Sequence, residues 1–265
     1  MDKYSLPVSE SGKTAAETAC LAVQRAGKVL VEHFYSSKKV KHKGKGNIVT
    51  EADTLSEKTI LELLKSEFPG HSMLSEETNS ATPASGYTWI IDPLDGTNNY
   101  FFGIPHFCIN IALSNDRELL LGITYDPLKD ELFTAEKGRG AALNGSPIHV
   151  SPVSLLNDSL LSFDLGYDAV QGKNMLDVAN KLWGKVHCLR MMGSAALGLA
   201  YVACGRINLY FHRFVYPWDI ASGLLLITEA GGQVMGWQKE KVDLYSKQLI
   251  ASNEILCHQF IECCT

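Results

Sequence analysis

Apolar residues between Thr14 and Tyr35 return at helical spacing, at Ala15, Leu21, Val23, Ala26, Leu30 and Phe34, and predict a long first helix. Lys38 to Gly46 is basic and glycine-containing and reads as a loop. A short apolar step at Ile48-Val49 then delivers Thr50-Glu51-Ala52-Asp53 to the start of a second helix. That helix carries Leu55, Ile60, Leu63 and Leu64 and stops at Phe68-Pro69-Gly70. Ser72 to Glu77 reads as a brief strand ending in two acids, and a polar loop with Pro83 and Gly86 leads to Trp89-Ile90-Ile91, the end of a buried strand. Pro93 donates no N–H, so pairing is expected to stop there. Phe107 to Leu113, Leu119 to Tyr125 and Glu131 to Glu136 follow as strands, with turns at Asp126-Pro127, Gly138-Arg139-Gly140 and Asn144-Gly145. This is the rhythm of an antiparallel sheet, and with the two early helices it predicts an α+β half over residues 1–153.

From about Leu155 strands and helices alternate, as in an α/β half over residues 154–265. Strands are expected at Leu160 to Phe163, Val186 to Leu189, Ile207 to Phe211, Gln233 to Met235 and Gln248 to Ala251. Helices are expected at Asn174 to Trp183, with Leu176, Ala179 and Trp183 on one side, at Gly193 to Ala203, from Tyr216-Pro217 to Gly231, and from Asn253 onward.

Composition narrows the class. The 265 residues are 46% hydrophobic and 20% charged, enough for one large domain or two closely packed lobes. A formal charge of −5, with no basic stripe beyond Lys38 to Lys45, argues against nucleic acid as a partner. No apolar run reaches the roughly 20 residues that span a bilayer, and Met1-Asp2-Lys3-Tyr4 opens no signal-peptide core. Seven scattered cysteines without a C-x-x-C pair fit a reducing cytoplasm and no zinc site. His42, His71, His106, His149, His187 and His258 have no metal-ligand spacing and read as structural.

The chemistry concentrates in Asp92-Pro93-Leu94-Asp95-Gly96-Thr97. Asp, Pro and Gly are ordinary turn residues, so one reading is an acidic turn after a strand. The other is a pair of acids fixed at a strand end beside free backbone amides, where a hard divalent cation and a phosphate could be held. Asp53 and Asp219 sit at helix starts, where each alone would be a cap, and Glu76-Glu77 alone would be solvated surface. If Glu76, Asp92, Asp95 and Asp219 converge on one crevice, their repulsion calls for divalent ions. Two Mg²⁺ would serve an in-line displacement at phosphorus, one activating water and the other stabilising the leaving oxygen.

Three segments, Glu76-Glu77, Trp89 to Tyr100, and Pro217-Trp218-Asp219-Ile220-Ala221-Ser222-Gly223, with the later Thr228 to Gly232, resemble the inositol monophosphatase family of Mg²⁺-dependent phosphatases. The resemblance runs from the first helix to the last. It implies a layered αβαβα sandwich, the metal-binding motif in the first lobe and the rest of the active site in the second. It also implies that Glu76, Asp92 and the Leu94 carbonyl hold one Mg²⁺, that Asp92, Asp95 and Asp219 hold a second, and that a weaker third lies near Glu76. Thr97, hydrogen-bonded toward Asp53, would orient the attacking water, with Asp53 and Glu76 counted among the catalytic residues. The amides of Gly96 and Thr97 would cradle the phosphate, Glu77 would support the ligands from behind, and Gly193, Ser194 and Ala195 would contact the alcohol part. The family is lithium-sensitive and usually dimeric, so a cytoplasmic homodimer acting on a small phosphate ester is expected.

One position departs from the pattern. Where inositol-specific members carry a glutamate, seven residues before Asp219, this chain has His212, followed by Arg213. Such a pair would suit a more anionic substrate, or His212 would simply end a strand facing solvent. Lys43 in the basic loop could also reach the site. Inositol monophosphate or a related sugar phosphate is the expected substrate. Fructose 1,6-bisphosphate, histidinol phosphate and a 3′(2′),5′-bisphosphate nucleotide are the alternatives. A haloacid-dehalogenase-type phosphatase fits poorly, because its aspartates are two apart rather than three. A catalytically silent metal- or ligand-binding regulatory protein is the non-enzymatic alternative.

Overall fold

The computed structural model describes residues 4–36, 40–44, 47–78 and 86–264. Lys38, Lys39, Lys45 and Pro83 lie outside them, and Lys43 is described in its backbone only. Helix α1 (Ala15–Phe34) opens on a reciprocal cap, the Glu17 amide donating to Thr14 Oγ1 and the Thr14 amide to the Glu17 carboxylate. The expected basic loop instead contributes a strand. Residues β1 (Val40–Gly44) and β2 (Asn47–Thr50) pair as an antiparallel hairpin, because the polar side chains tolerate an extended backbone whose main-chain groups are satisfied by pairing. Helix α2 (Glu51–Glu67) follows, capped by Thr50, so Asp53 stands in its first turn rather than at the cap.

Strands β3 (Ser72–Ser75), β4 (Tyr87–Asp95), β5 (Cys108–Asn115), β6 (Glu118–Asp126), β7 (Glu131–Glu136), β8 (Gly140–Leu143) and β9 (Ser146–Pro147) form a seven-stranded sheet in sequence order. All pairs are antiparallel except β3 with β4. The short helix α3 (Thr97–Phe102) leaves the end of β4. The later chain gives β10 (Leu160–Phe163), α4 (Ala169–Leu182), β11 (Cys188–Arg190), α5 (Ala195–Ala203), β12 (Leu209–His212), α6 (Pro217–Glu229), β13 (Gln233–Met235), β14 (Leu249–Ser252) and α7 (Glu254–Cys264). Its five strands run in the order β11-β10-β12-β14-β13, parallel through β12 and antiparallel beyond.

Strand alternation builds the layers. Trp89 and Ile91 face α1 and α2, packing with Val23, Leu30, Ile60 and Leu64, while Ile90 faces the other way onto Trp218 and Ala221 of α6. Helices α5 and α6 fill the middle, touching Phe133 and Ala135 of the large sheet and Tyr210, Leu249 and Ala251 of the small one. The outer face of the small sheet, Phe163, Leu209, Phe211 and Ile250, is covered by α4 and α7. Two sheets and three helical layers thus alternate, as expected. The boundary at 153/154 falls in irregular chain just before a single 3-10 turn at Leu156–Asp158.

Two local expectations need correction. Strand β4 runs through Pro93 to Asp95, because a bulge takes up the residues that cannot pair and the ladder resumes at Asp95 opposite Cys108. Helix α4 begins earlier, on an Asp168 cap, and buries Met175, Val178 and Leu182, while Leu176 and Trp183 are exposed. Met175, Val178 and Leu182 form the i, i+3, i+7 stripe that faces the core.

Helix α6 lies so close on β6 that a Cβ at Gly122 would stand 2.8 Å from the Ser222 carbonyl oxygen and 2.9 Å from its Cα. Backbone cannot yield there, so Gly122→Ala should overpack the interface and lower unfolding free energy by roughly 1–3 kcal/mol in urea titration.

Candidate active site

The site is built where β4 stops being regular. Residues three apart on a strand ordinarily face opposite ways. The bulge between Asp92 and Asp95 removes that alternation, and both carboxylates line one cavity of about 340 Å³. Ser56 of α2 secures the bulge by donating to the Pro93 carbonyl at 2.7 Å. Gly96 then turns sharply, at φ +91°, and a Cβ there would come within 3.0 Å of the His106 carbonyl oxygen. Glu76 reaches the same cavity from the turn after β3, and Asp219 from the first turn of α6. The four expected acids therefore meet on one cavity, with the Leu94, Gly96 and Thr97 backbone beside them.

Each acid is held by its own hydrogen bonds. Asp92, almost fully buried, accepts the Leu94 amide at 3.0 Å. Asp95 accepts Ser194 Oγ at 2.5 Å and the Ala196 amide at 2.8 Å through one oxygen, with Cys108 Sγ 3.8 Å away. Asp219 accepts the Tyr216 amide at 2.7 Å, so it closes the first turn of α6 from inside the helix rather than capping it. Burial raises the pKa of all three; repulsion from Glu76, Asp95 and Asp219 raises it further at Asp92, and repulsion from Asp95 and Glu76 does so at Asp219, while hydrogen bonds work against burial at Asp95. The acids share a cavity without closing into a ready-made cage. Among the described residues no three His, Cys, Asp or Glu side chains converge that tightly. The donor set is nevertheless all hard oxygen, four carboxylates and the Leu94 carbonyl, which fits Mg²⁺ and not a thiophilic metal.

Thr97 and Asp53 come together behind this set. Thr97 Oγ1 stands 3.1 Å from Asp53 Oδ1 and 3.0 Å from the Leu94 carbonyl oxygen, and its single proton goes to one of them at a time. The other Asp53 oxygen accepts the Thr50 amide at 2.8 Å and its hydroxyl at 2.5 Å. Burial pushes the Asp53 pKa up to about 6 despite these bonds. Glu77 is half-buried and does not line the cavity, but its charge is felt at Asp53.

The residues expected on the alcohol side reach the same cavity. Gly193, Ser194 and Ala195 line the cavity. His212 does too, but neither as a cation nor facing solvent. It is buried, its Nδ1 accepts the Phe214 amide at 2.9 Å, and burial lowers its pKa to about 4, leaving a neutral ring. Arg213 points elsewhere, its guanidinium 3.9 Å from the centre of the Trp237 ring. The anionic-substrate argument thus loses both its charges, because the first side chain is desolvated and the second is stacked away.

Several residues carry the site without having signalled it in the sequence. Glu57 accepts from the Ser75 hydroxyl and from the Thr78 amide at 3.1 Å, fixing the turn that bears Glu76. Asn110 Nδ2 donates to the Trp218 carbonyl at 2.5 Å, and Thr124 bridges Asn110 to Ser222, tying the start of α6 to the sheet. Asp164, Tyr167 and Asn99 also line the cavity. One signal was available. Asp53, Ser56, Glu57, Ile60 and Leu64 share one helical face, and polar groups on a face that also carries core residues are placed there to bond.

Comparison with known proteins agrees with this geometry. The model described as "Inositol monophosphatase family" matches residues 13–263. A Solanum lycopersicum protein described as inositol monophosphatase 2 is 41% identical over 257 residues, covering 92% of this chain and 96% of that relative. The crystal structure of extragenic suppressor protein suhB from Bartonella henselae superposes with a TM-score of 0.89 at 32% identity, over 94% of this chain and 98% of that one. An inositol monophosphatase structure from Anabaena (Nostoc) gives 0.83 at 35% identity over 93% of each chain.

The buried acids also make a pH prediction. Asp53 keeps its proton in the fold up to about pH 6, and burial pushes Asp164 up to about 7. Unfolded aspartates lose theirs near about pH 4. At these two groups the fold binds more protons than the unfolded chain, so their contribution to stability falls as pH rises, whereas His212 and His106, lowered to about 4 by burial, act in the opposite direction below about pH 6.5. The aspartate contribution is therefore read by difference: the melting temperature of the unaltered chain minus that of Asp164→Asn, both in EDTA, should decline from pH 4 to pH 7, and Mg²⁺ added at pH 7.5 should raise the melting temperature of the unaltered chain. A difference that does not change with pH would contradict the assignment.

Proposed function

The chain belongs to the inositol monophosphatase family, and on that premise we propose that it is a Mg²⁺-dependent phosphatase hydrolysing a small phosphomonoester, inositol monophosphate or a related sugar phosphate. The observation that carries this reading is the convergence of Glu76, Asp92, Asp95 and Asp219, from two sheet-strand ends and a helix start, on one cavity beside Thr97 and Asp53. Glu76, Asp92 and the Leu94 carbonyl would hold one ion, Asp92, Asp95 and Asp219 a second, and a third would lie near Glu76. The bound ions supply Lewis acidity at the phosphoryl oxygens and lower the pKa of water.

The chain's own groups do the rest. An attacking water donates one hydrogen bond to Thr97 Oγ1, whose own proton faces Asp53 Oδ1, so water is oriented and its proton has a path to a buried carboxylate. The Gly96 and Thr97 amides lie where the phosphate must sit, next to the acids. The negative charge of Glu77 is felt at Asp53 and strengthens that carboxylate's hold on a proton. Ser194 and the amide of Ala196 keep one Asp95 oxygen occupied, which turns the other toward the cavity.

A single phosphate is favoured over the bisphosphate alternatives. Among the described residues no Lys or Arg lines the cavity, so none of them would pair with a second phosphate there. We further propose that residues 1–153 and 154–265 act as two lobes sharing the site, and that the protein is a lithium-inhibited, cytoplasmic homodimer. Among the described residues no helix is long and apolar enough to cross a membrane.

A phosphate-release panel over inositol 1-phosphate, fructose 1,6-bisphosphate, histidinol phosphate and 3′-phosphoadenosine 5′-phosphate, with and without Mg²⁺ and lithium, tests the reading. Activity should require Mg²⁺ and vanish in Asp95→Asn. Thr97→Ala should lose roughly 10²–10⁴-fold in kcat with Mg²⁺ binding retained by calorimetry. A Thr97→Ala protein that no longer binds Mg²⁺ would place Thr97 among the ligands instead. Inactivity of the unaltered chain on the whole panel would favour the silent regulatory alternative.

A further inference from the structure

The cavity lining divides by chemistry. One part is acidic and takes the phosphate end. The other, Leu165 to Tyr167 and Met191 to Ala195, carries no charged side chain apart from the adjoining Asp164 and is left for the alcohol. Within that part the Met192–Gly193 main chain is gripped from two sides. The amides of Met192 and Gly193 both donate to Asp164 Oδ1, at 3.1 and 2.6 Å. The Met192 carbonyl accepts Asn99 Nδ2 at 2.7 Å, and the same amide group reaches the His106 carbonyl at 2.8 Å. The second Asp164 oxygen accepts the Tyr210 hydroxyl at 3.0 Å. Asp164 is buried, at 8% exposure, and its oxygens are occupied by the protein, so it has no part in holding cations or moving the water proton.

A buried carboxylate is costly to desolvate, and a fold keeps one where its bonds fix something. Here they fix a glycine-containing main-chain turn that would otherwise be free to move against the substrate. Three parts of the chain meet at it: Asp164, the residue just after β10; α3 through Asn99; and β4 through Asp95 on Ser194. The grip therefore sets the distance between the alcohol wall and the acids.

We propose that Asp164, together with Asn99, is a positioning residue for the alcohol half of the substrate: it fixes the Met192–Gly193 main chain and thereby sets which alcohol is accepted, without entering hydrolysis. This rests on the phosphatase reading above. A merely structural role would lower activity on every ester alike. Loss of the grip weakens recognition of a large alcohol and spares an ester that is almost all phosphate.

The test compares inositol 1-phosphate with ethyl phosphate under saturating Mg²⁺. Asp164→Ala should raise KM for inositol 1-phosphate about tenfold or more and change kcat/KM for ethyl phosphate less than about threefold. Asp164→Asn should restore most of the loss, because its remaining oxygen still accepts both amides and the Tyr210 hydroxyl can turn to accept from the new amide. Tyr210→Phe removes the bond on the far side of the same carboxylate. It should lower the melting temperature and leave the ratio of the two esters unchanged. If Asp164→Ala fails to fold, Asn99→Ala reads the same grip from its carbonyl side and should shift the ratio in the same direction. An equal fall on both esters, or a ratio shift in Tyr210→Phe as large as in Asp164→Ala, would overturn the proposal. An unaltered chain inactive on both esters would instead overturn the phosphatase reading.

Discussion

Like charges crowded out of water set the terms for this molecule. Asp92, Asp95, Asp219 and Glu76 share one cavity; burial pushes protons onto the first three, and repulsion adds to it at Asp92 and Asp219. Nothing in the hydrophobic layers favours that arrangement. It persists because hydrogen bonds restrain every one of those three acids, through the Leu94 amide, through Ser194 and the Ala196 amide, and through the Tyr216 amide. The same restraint leaves these acids lining a space where the proposed cations would offset their charge.

The surrounding polar groups make sense as bracing for that centre. Ser56 takes the carbonyl that Pro93 leaves unpaired, Glu57 pins the turn behind Glu76, and Asn110 with Thr124 and Ser222 ties α6 to the sheet. All of these are buried side chains with partners, in line with the high cost of leaving such groups unbonded. The close approach of β6 and α6 at Gly122 belongs to the same scheme, since it brings the start of α6, and Asp219 with it, to the edge of the large sheet.

Much of this was legible from the chain alone. Periodicity placed α1, α2, β10, β13 and the middle helices, because long or cleanly bounded apolar patterns leave little choice. The acid motif survived its ambiguity once a second acid-bearing helix start was in view. Other features were hidden for physical reasons. The β1–β2 hairpin is polar on its surface, so it has no apolar alternation to read. Pro93 does end regular pairing, but a bulge bridges the gap, and bulges leave no mark in composition. Helix α4 presents Leu176 and Trp183 outward, so its hydrophobic residues point to two stripes and only tertiary packing decides between them. His212 looked like a potential cation by residue type, and only its burial and its bond to the Phe214 amide make it neutral. Asp164 belongs to no local motif, and Asn99, although inside the Trp89–Tyr100 segment, gave no sign of its bond to the Met192 carbonyl, because those partners lie far along the chain.

The grip on Met192 and Gly193 acts on main-chain atoms alone. The side chains of Met191 and Met192 carry none of those bonds, and Met191 is 58% exposed. Random exchange at these two positions can therefore reshape the rim over generations while the frame beneath stays put. A lineage built on this scaffold has room to drift from one alcohol to another without first dismantling the machinery that cleaves the ester.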